Sequence, residues 1–401
     1  MSLALEGIRI IDLTTWQQGS GGPGLLADLG AEVIKVERPI VGDPARGVTM
    51  SPLEADRPVR SLFEAANRGK RGITLDFKSD EGREVLYALI ETADVVAMNF
   101  RSGVAARLGV DYATLSTRKP DIIVASTNGL GPDGPEANRG LFDIMGQARS
   151  GLMKLLSDPD QPTRYVGPWG LSDQTAAVMF ATSILTALVA RSLHGVGQEV
   201  SVSQLGSSIA WQTLPLHAYL FTGEQPSPRP RKESRTPLFN LYRGSDDLWF
   251  CLSCTPPDAY WTRLCSALER EDLATDPRFA DNPTRTENAA ALVSELDAIF
   301  ATRPRHEWME RLETHEVIAN AVQEYADLLN DPQVRANRYI DEVEHPSMGR
   351  MSVVGCPIKL SETPSRGPAI APEFGQHTEE VLTELGLEWS EISELREKGL
   401  I

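Results

Sequence analysis

The sequence predicts an α/β fold built around a mainly parallel sheet. Three observations lead there: apolar runs of strand length recur through the first third of the chain, segments of helical spacing alternate with them, and turn-forming residues separate the two. Ile8-Arg-Ile-Ile-Asp-Leu13 reads as a buried strand, followed by a Gly-rich turn and a helical segment over residues 25–30. Glu32–Glu37 is the second strand. A third short β-like run ends at Leu75, and residues 81–92 take helical spacing after the start signal Lys78-Ser-Asp80. Residues 94–98 and 122–126 are further strands. Residues 223–237, rich in Pro, Ser and Arg, form a linker. Beyond it lie a strand at 248–253, helices rich in Arg and Glu up to about Leu329, and a return segment, 340–401, ending in an amphipathic helix.

The 401 residues are 41% hydrophobic and 24% charged, which excludes collagen-like and disordered classes and leaves room for two or three domains. A net charge of −17 repels phosphate backbones and anionic membranes, so neither nucleic acid nor membrane is an expected partner; a small anionic ligand stays open to locally clustered Arg and Lys. The first residues carry no signal-peptide pattern, and the longest nearly apolar stretch, 176–190, is too short to span a bilayer. Cys251-x-x-Cys254 has a metal or redox spacing, yet it lies in an alternating run without a second pair or a neighbouring His. Reduced, packed thiols in a cytoplasmic protein, and no metal, are therefore expected.

Gly19-Ser-Gly21-Gly-Pro-Gly24 matches G-x-G-x-x-G after a strand, with Glu37 where a ribose-binding acid would fall. Five residues separate that strand from Gly19, and Pro23 removes a backbone N–H that a phosphate would want, so a dinucleotide site is disfavoured. There is no G-x-S-x-G elbow and no Walker A sequence, and the six histidines form no cluster. Asp173 stands apart, in Val166-Gly-Pro-Trp-Gly-Leu-Ser-Asp173, immediately before the apolar helical stretch. A lone Asp there is commonly an N-cap. The same place, at the positive end of a helix, also keeps a carboxylate ionised and accessible, as a nucleophilic carboxylate requires. An ordinary carboxylate pKa of about 3.9 would suffice.

Several stretches resemble the class III CoA-transferases, the family of formyl-CoA:oxalate CoA-transferase. They include Leu5-Glu-Gly-Ile-Arg-Ile-Ile-Asp-Leu13, Ala27-Asp-Leu-Gly-Ala-Glu-Val-Ile-Lys-Val-Glu-Arg38, Asn67-Arg-Gly-Lys-Arg71, Ala93-Asp-Val-Val-Ala-Met-Asn-Phe100, Arg107-Leu-Gly-Val-Asp111 and Gly195-Val-Gly-Gln-Glu-Val-Ser-Val202. Glu342-Val-Glu-His-Pro346 and Gly375-Gln-His-Thr-Glu-Glu-Val-Leu-Thr-Glu-Leu-Gly386 continue the likeness to the C-terminus, and it is weakest over about 205–330. The resemblance implies a Rossmann-like large domain from both chain ends (1–222 and 326–401), a linker and smaller α+β domain over 223–325, and an interlocked homodimer, with a different partner subunit as the other possibility. It also implies CoA transfer from an acyl-CoA, succinyl-CoA among the donors considered, to a free carboxylic acid. The route would run through an aspartyl mixed anhydride and an aspartyl-CoA thioester, with CoA as substrate and no permanently bound cofactor.

By the same resemblance Asp173 is the nucleophile, Gln17 lies in the catalytic site, and Arg38, Lys70, Asn99, Phe100 and Arg107 line the CoA site. Asp143 matches a carboxylate near the family's active site, with a structural hydrogen-bond acceptor as its other reading. Thr15, Trp16 and Gln18 depart from the formyl-CoA enzyme, and its Gly-rich lid loop is missing between Gly223 and Asp246, which disfavours oxalate and formate. Trp16, Gln18 and Trp169 are then candidates for a roomier acyl pocket, and Arg46 for holding a second carboxylate of a diacid. An α-methylacyl-CoA racemase and a catalytically silent subunit are the alternatives. Against the racemase, Phe142 precedes Asp143 where that branch carries a His.

Overall fold

The structure, a computed structural model, describes residues 2–158, 161–167 and 170–401. These form two compact units: one comprises the residues up to Ser157, Gln161–Pro226 and Gln333–Ile401, and the other centres on Ser227–Pro332.

The first unit is built on a six-stranded sheet of β1 (Arg9–Asp12), β2 (Glu32–Glu37), β3 (Arg71–Thr74), β4 (Val95–Met98), β5 (Ile123–Asn128) and β6 (Gln198–Ser203). Every pairing is parallel, in the order β3-β2-β1-β4-β5-β6. Parallel strands are covered on both faces, which is why they read as unbroken apolar runs. Ile11, Ile34, Ile73, Val96 and Val124 point to one buried layer with Leu86 and Ile90. Ile10, Val33, Val95 and Ile123 point to the other, against Leu26, Phe180 and Ile184. The C-terminal segment returns to the β3 edge, where Thr74 N–H donates to Thr378 Oγ1 at 3.0 Å and Gly72 N–H to His377 Nδ1 at 3.0 Å. An antiparallel hairpin of β10 (Ile340–His345) and β11 (Gly349–Val354) belongs to this unit. The second unit packs helices on a three-stranded antiparallel sheet of β7 (Phe239–Arg243), β8 (Trp249–Ser253) and β9 (Ala319–Ala321), around Tyr242, Phe250, Phe300 and Trp308.

Two sequence expectations need correction. The Gly-rich run is not a turn but lies inside helix α1 (Trp16–Asp28). Its glycines form a packing face: a Cβ at Gly22 would come within 2.7 Å of the Phe180 ring, so only hydrogen lets the two helices approach this closely. The apolar stretch at 176–190 is part of a longer helix. With α2 (Asp143–Arg149) introduced before it, this is α3 (Leu171–His194), whose 24 residues are enough by length and apolar composition to cross a membrane. In the fold one face of α3, Ala176, Ala177, Phe180, Ile184 and Ala187, is buried. Val178, Val189 and Leu193 on the rest of its surface are exposed.

Candidate active site

In this strand order β1 leads outward through β2 to β3, while β4 starts again on the other side of β1. The chain ends of β1 and β4 therefore diverge and leave a crevice, the usual ligand site of a doubly wound sheet. A cavity of about 370 Å³ opens there, lined among others by Thr15 to Gln18 after β1, Asn99 to Arg101 after β4, Asn128 at the end of β5, and Asp143 and Asp173.

The segment after β1 is pinned from both sides. Asn99 accepts from Thr15 N–H at 3.0 Å and donates Nδ2 to Thr15 O at 2.7 Å, while Asp43 Oδ1 accepts Trp16 N–H at 3.1 Å. Trp16 is held at φ +62°, a strained value for a bulky residue, and its ring meets Phe142 edge-on at 6.5 Å between centroids. Gln18 Nε2 donates to Thr127 Oγ1 and to Asn128 O, both at 2.8 Å, joining α1 to the end of β5.

Below this segment lie two buried ion pairs, Lys35–Asp43 at 2.9 Å and Lys70–Asp12 at 2.7 Å. Lys70 also donates to Ser20 O at 2.8 Å and Asn67 Oδ1 at 2.9 Å, so all three ammonium protons are spent inside the protein. Burial pushes its pKa down to about 8, against the pull of Asp12. Despite burial, Lys35 and the N–H groups of Ala45 and Trp16 hold Asp43 below the ordinary carboxylate range. The role expected for Lys70 on CoA phosphates is thus corrected: it is a buried strut. Arg46 is corrected too. Its Nε and Nη2 bind Glu37 at 2.8 and 2.7 Å, Nη2 reaches Pro372 O at 3.1 Å, and its guanidinium stacks 3.7 Å from the Phe63 ring centre. It does not line the cavity. Glu37, weighed above as a ribose acid, is its partner.

Asp173 is the third residue of α3, not its N-cap. Gly170 holds the cap position at φ +70°, where a Cβ would collide with the Gln17 carboxamide. The capping carboxylate comes from Asp143: its Oδ1 accepts Ser172 N–H at 2.7 Å and Asp173 N–H at 3.2 Å. Its Oδ2 accepts Gln147 Nε2 at 2.7 Å and Tyr165 OH at 3.2 Å. All four contacts are hydrogen bonds to an acceptor, which favours the structural reading of Asp143. Burial, with the nearby Asp143 charge second, pushes the Asp173 pKa up to about 7. The expectation of an ordinary pKa is therefore corrected. The physical reason is first the burial of the carboxylate and then Asp143, whose own carboxylate takes the N–H groups at the positive helix end on which the expectation relied.

Gln204, the first residue of α4 (Gln204–Trp211), is fully buried and donates Nε2 to Asp173 Oδ1. The sequence reading missed it, as it missed Arg101, Lys35 and Asp43. Its one signal was its place directly after β6. Gln17 lines the cavity, and its carboxamide has no hydrogen-bond partner among the described residues. Phe100 lines the cavity and packs on the sheet core. Arg38 and Arg107 are exposed, lie outside the cavity lining, and make no side-chain hydrogen bond or ion pair among the described residues. Trp169 lies outside the described residues. Among the described residues no cluster of metal-ligating side chains occurs.

The sequence model of CoA-transferase family III matches residues 5–378. The chain belongs to CoA-transferase family III. Among its relatives, an acyl-CoA transferase of Fusarium pseudograminearum is 33% identical over 99% of this chain and 88% of its own. A succinyl-CoA:mesaconate CoA-transferase of Haloarcula hispanica is 33% identical over 96% of this chain and 97% of its own. Among solved structures, a CAIB/BAIF family protein from Brucella suis superposes with a TM-score of 0.85 at 29% identity, covering 96% of this chain and 100% of that one.

Proposed function

We propose that this member of the family moves CoA from an acyl-CoA to a free carboxylic acid, with Asp173 as the covalent nucleophile. The observation that carries the reading is a carboxylate lining the crevice at the divergence of β1 and β4, held by a neutral amide and by no cation among the described residues. A carboxylate tied to an arginine would be a poor nucleophile; one steadied by Gln204 keeps an oxygen free to attack.

Attack of an Asp173 oxygen on the thioester carbonyl forms a C–O bond and breaks the C–S bond, whose electron pair leaves with CoA as thiolate. The thiolate then attacks Asp173 Cγ, expelling the donor acid as carboxylate and leaving an aspartyl-CoA thioester. The acceptor carboxylate attacks that carbon and releases the thiolate again. Thiolate attack on the acceptor's acyl carbon restores Asp173 and gives the new acyl-CoA. One thioester replaces another, and every step balances without a proton, an electron or a second reagent. The uncommitted Gln17 carboxamide, beside Gly170, supplies a donor for the oxyanions formed on the way.

Arg38 and Arg107, exposed and without a partner among the described residues, are suited to the CoA phosphates. Succinyl-CoA is the donor we favour, supported by the likeness to the succinyl-CoA:mesaconate CoA-transferase of Haloarcula hispanica. No histidine lines the cavity among the described residues, and Phe142 stands in its wall, so the racemase alternative lacks its proton carrier. A homodimer belongs to the same reading: Leu193, Leu214 and Phe221 are 72%, 84% and 84% exposed, large apolar side chains that a second chain would cover. Four free cysteines, two of them buried, support a reducing cytoplasmic location.

The test is incubation with a panel of acyl-CoAs and free acids, read by mass spectrometry. New CoA esters that require both reactants support the reading. Hydrolysis alone, or exchange of the α-proton with solvent at a rate comparable to turnover, contradicts it.

A further inference from the structure

We infer that Asp43 is a positioning residue for CoA transfer: backed by Lys35, it holds the Trp16 N–H, keeps Trp16 in its left-handed conformation, and so aims the Gln17 carboxamide at the groups reacting on Asp173. This rests on the transfer reading above. Neither Asp43 nor Lys35 lines the cavity, so both act through the segment they hold.

Three consecutive residues are fixed by side chains from three places in the fold. Lys35 on β2 donates to Thr14 O at 2.9 Å and to Ser20 Oγ at 3.2 Å. Asn99, after β4, grips Thr15 through both its N–H and its carbonyl. Asp43, after β2, accepts Trp16 N–H on Oδ1, which also accepts Ala45 N–H at 2.9 Å, while Oδ2 meets Lys35. Asp43 is itself anchored, its own N–H donating to Glu37 Oε2 at 2.8 Å. At φ +62° Trp16 sits where a bulky residue stays only if its surroundings over-determine it, and the Asp43 contact falls on that residue. The next residue is Gln17, whose carboxamide lies against Gly170 at the cap of the helix that carries Asp173. A Cβ on Gly170 would stand 2.1 Å from Gln17 Oε1. Relaxing Trp16 to a negative φ would swing Gln17 out of that berth. A buried ion pair adds little stability that apolar side chains of the same volume would not. What Lys35 and Asp43 supply is an acceptor of fixed position.

The test compares two double variants that both lack the ion pair and differ in the acceptor for Trp16 N–H. Lys35→Met/Asp43→Asn keeps that acceptor as an amide oxygen; Lys35→Met/Asp43→Leu removes it. Transfer is measured with succinyl-CoA as donor and, as acceptor, the acid from the panel above that the wild type uses best. Urea unfolding of each protein gives kcat per folded molecule. The Leu double variant is expected to lose about 100-fold in kcat, the cost of a misplacement of about 1 Å, with little change in the KM for succinyl-CoA. The Asn double variant loses only a small part of that. If the Leu variant does not fold, Asp43→Glu reads the same point. It keeps the charge beside Lys35 but moves the acceptor by one methylene, and the same fall in kcat at an unchanged KM is expected. Equal kcat in the two double variants overturns the assignment while leaving the transfer reading intact. So does a loss that appears as a raised KM for succinyl-CoA, or an Asp43→Glu protein with the kcat of the wild type. A wild type that transfers CoA to no acid on the panel fails the transfer reading itself, and this assignment with it.

Discussion

Replacing Asp173 by Asn removes the carboxylate proposed as nucleophile and should also make the protein more stable above neutral pH. The amide is isosteric, and its Oδ1 still accepts the hydrogen bond from Gln204 Nε2. What it removes is a charge that the site disfavours: burial and Asp143 raise the Asp173 pKa from the usual 3.8 to about 7. At 1.36 kcal/mol per tenfold, that difference is about 4 kcal/mol against the ionised form. The helix N-terminus returns on the order of 1 kcal/mol at most, and Asp143 already blunts it. The sign follows from linkage. The unfolded chain loses this proton near about pH 4 and the folded one near 7, so the wild type carries no penalty in acid, an increasing one between those values, and all of it above. Asp173→Asn should therefore exceed the wild type by about 3 kcal/mol at pH 8 and by roughly half that at pH 5. Urea midpoints and slopes at the two pH values measure it. A difference that does not change with pH, or a variant less stable at pH 8, refutes this electrostatic account of the site.

The remaining predictions follow from the same contacts. Transfer activity should rise with pH through about 7 as Asp173 ionises, and Asp143→Asn should move that limb to lower pH, since it removes the second cause of the raised pKa while its amide oxygen still caps α3; a pH–rate profile of both proteins decides it. Lys70→Met should cost about 3–5 kcal/mol of stability by leaving Asp12 buried and unpaired, measured by chemical denaturation. Arg38→Ala and Arg107→Ala should stay within about 0.5 kcal/mol of the wild type yet raise the KM for acyl-CoA, with little change in that for the free acid.

The sheet was legible because parallel strands buried on both faces leave continuous apolar runs, and Glu32–Glu37 was read at its observed boundaries. The Gly-rich run was misread because glycine signals a turn or a close packing face equally well, and only Phe180, far along the chain, shows which. Asp173 was singled out from the sequence and lines the cavity, but its setting was not legible. The carboxylate that caps its helix sits 30 residues earlier and enters through the fold. Lys70 and Arg46 show the same limit: a sequence displays a cation, while its partner, Asp12 or Glu37, is chosen by strand order. Gln204 and Arg101 are single polar residues without periodicity, so nothing local marked them.

The covalent role of Asp173 is the central claim, and trapping tests it most directly. The wild type is incubated with an acyl-CoA alone, with hydroxylamine added, and the peptide carrying Asp173 is analysed by mass spectrometry. The account predicts an acyl-CoA-dependent hydroxamate on Asp173, loss of activity in step with its formation, and no such adduct in Asp173→Asn. An unmodified Asp173 in a protein that still turns over, or full transfer activity in Asp173→Asn, would contradict it.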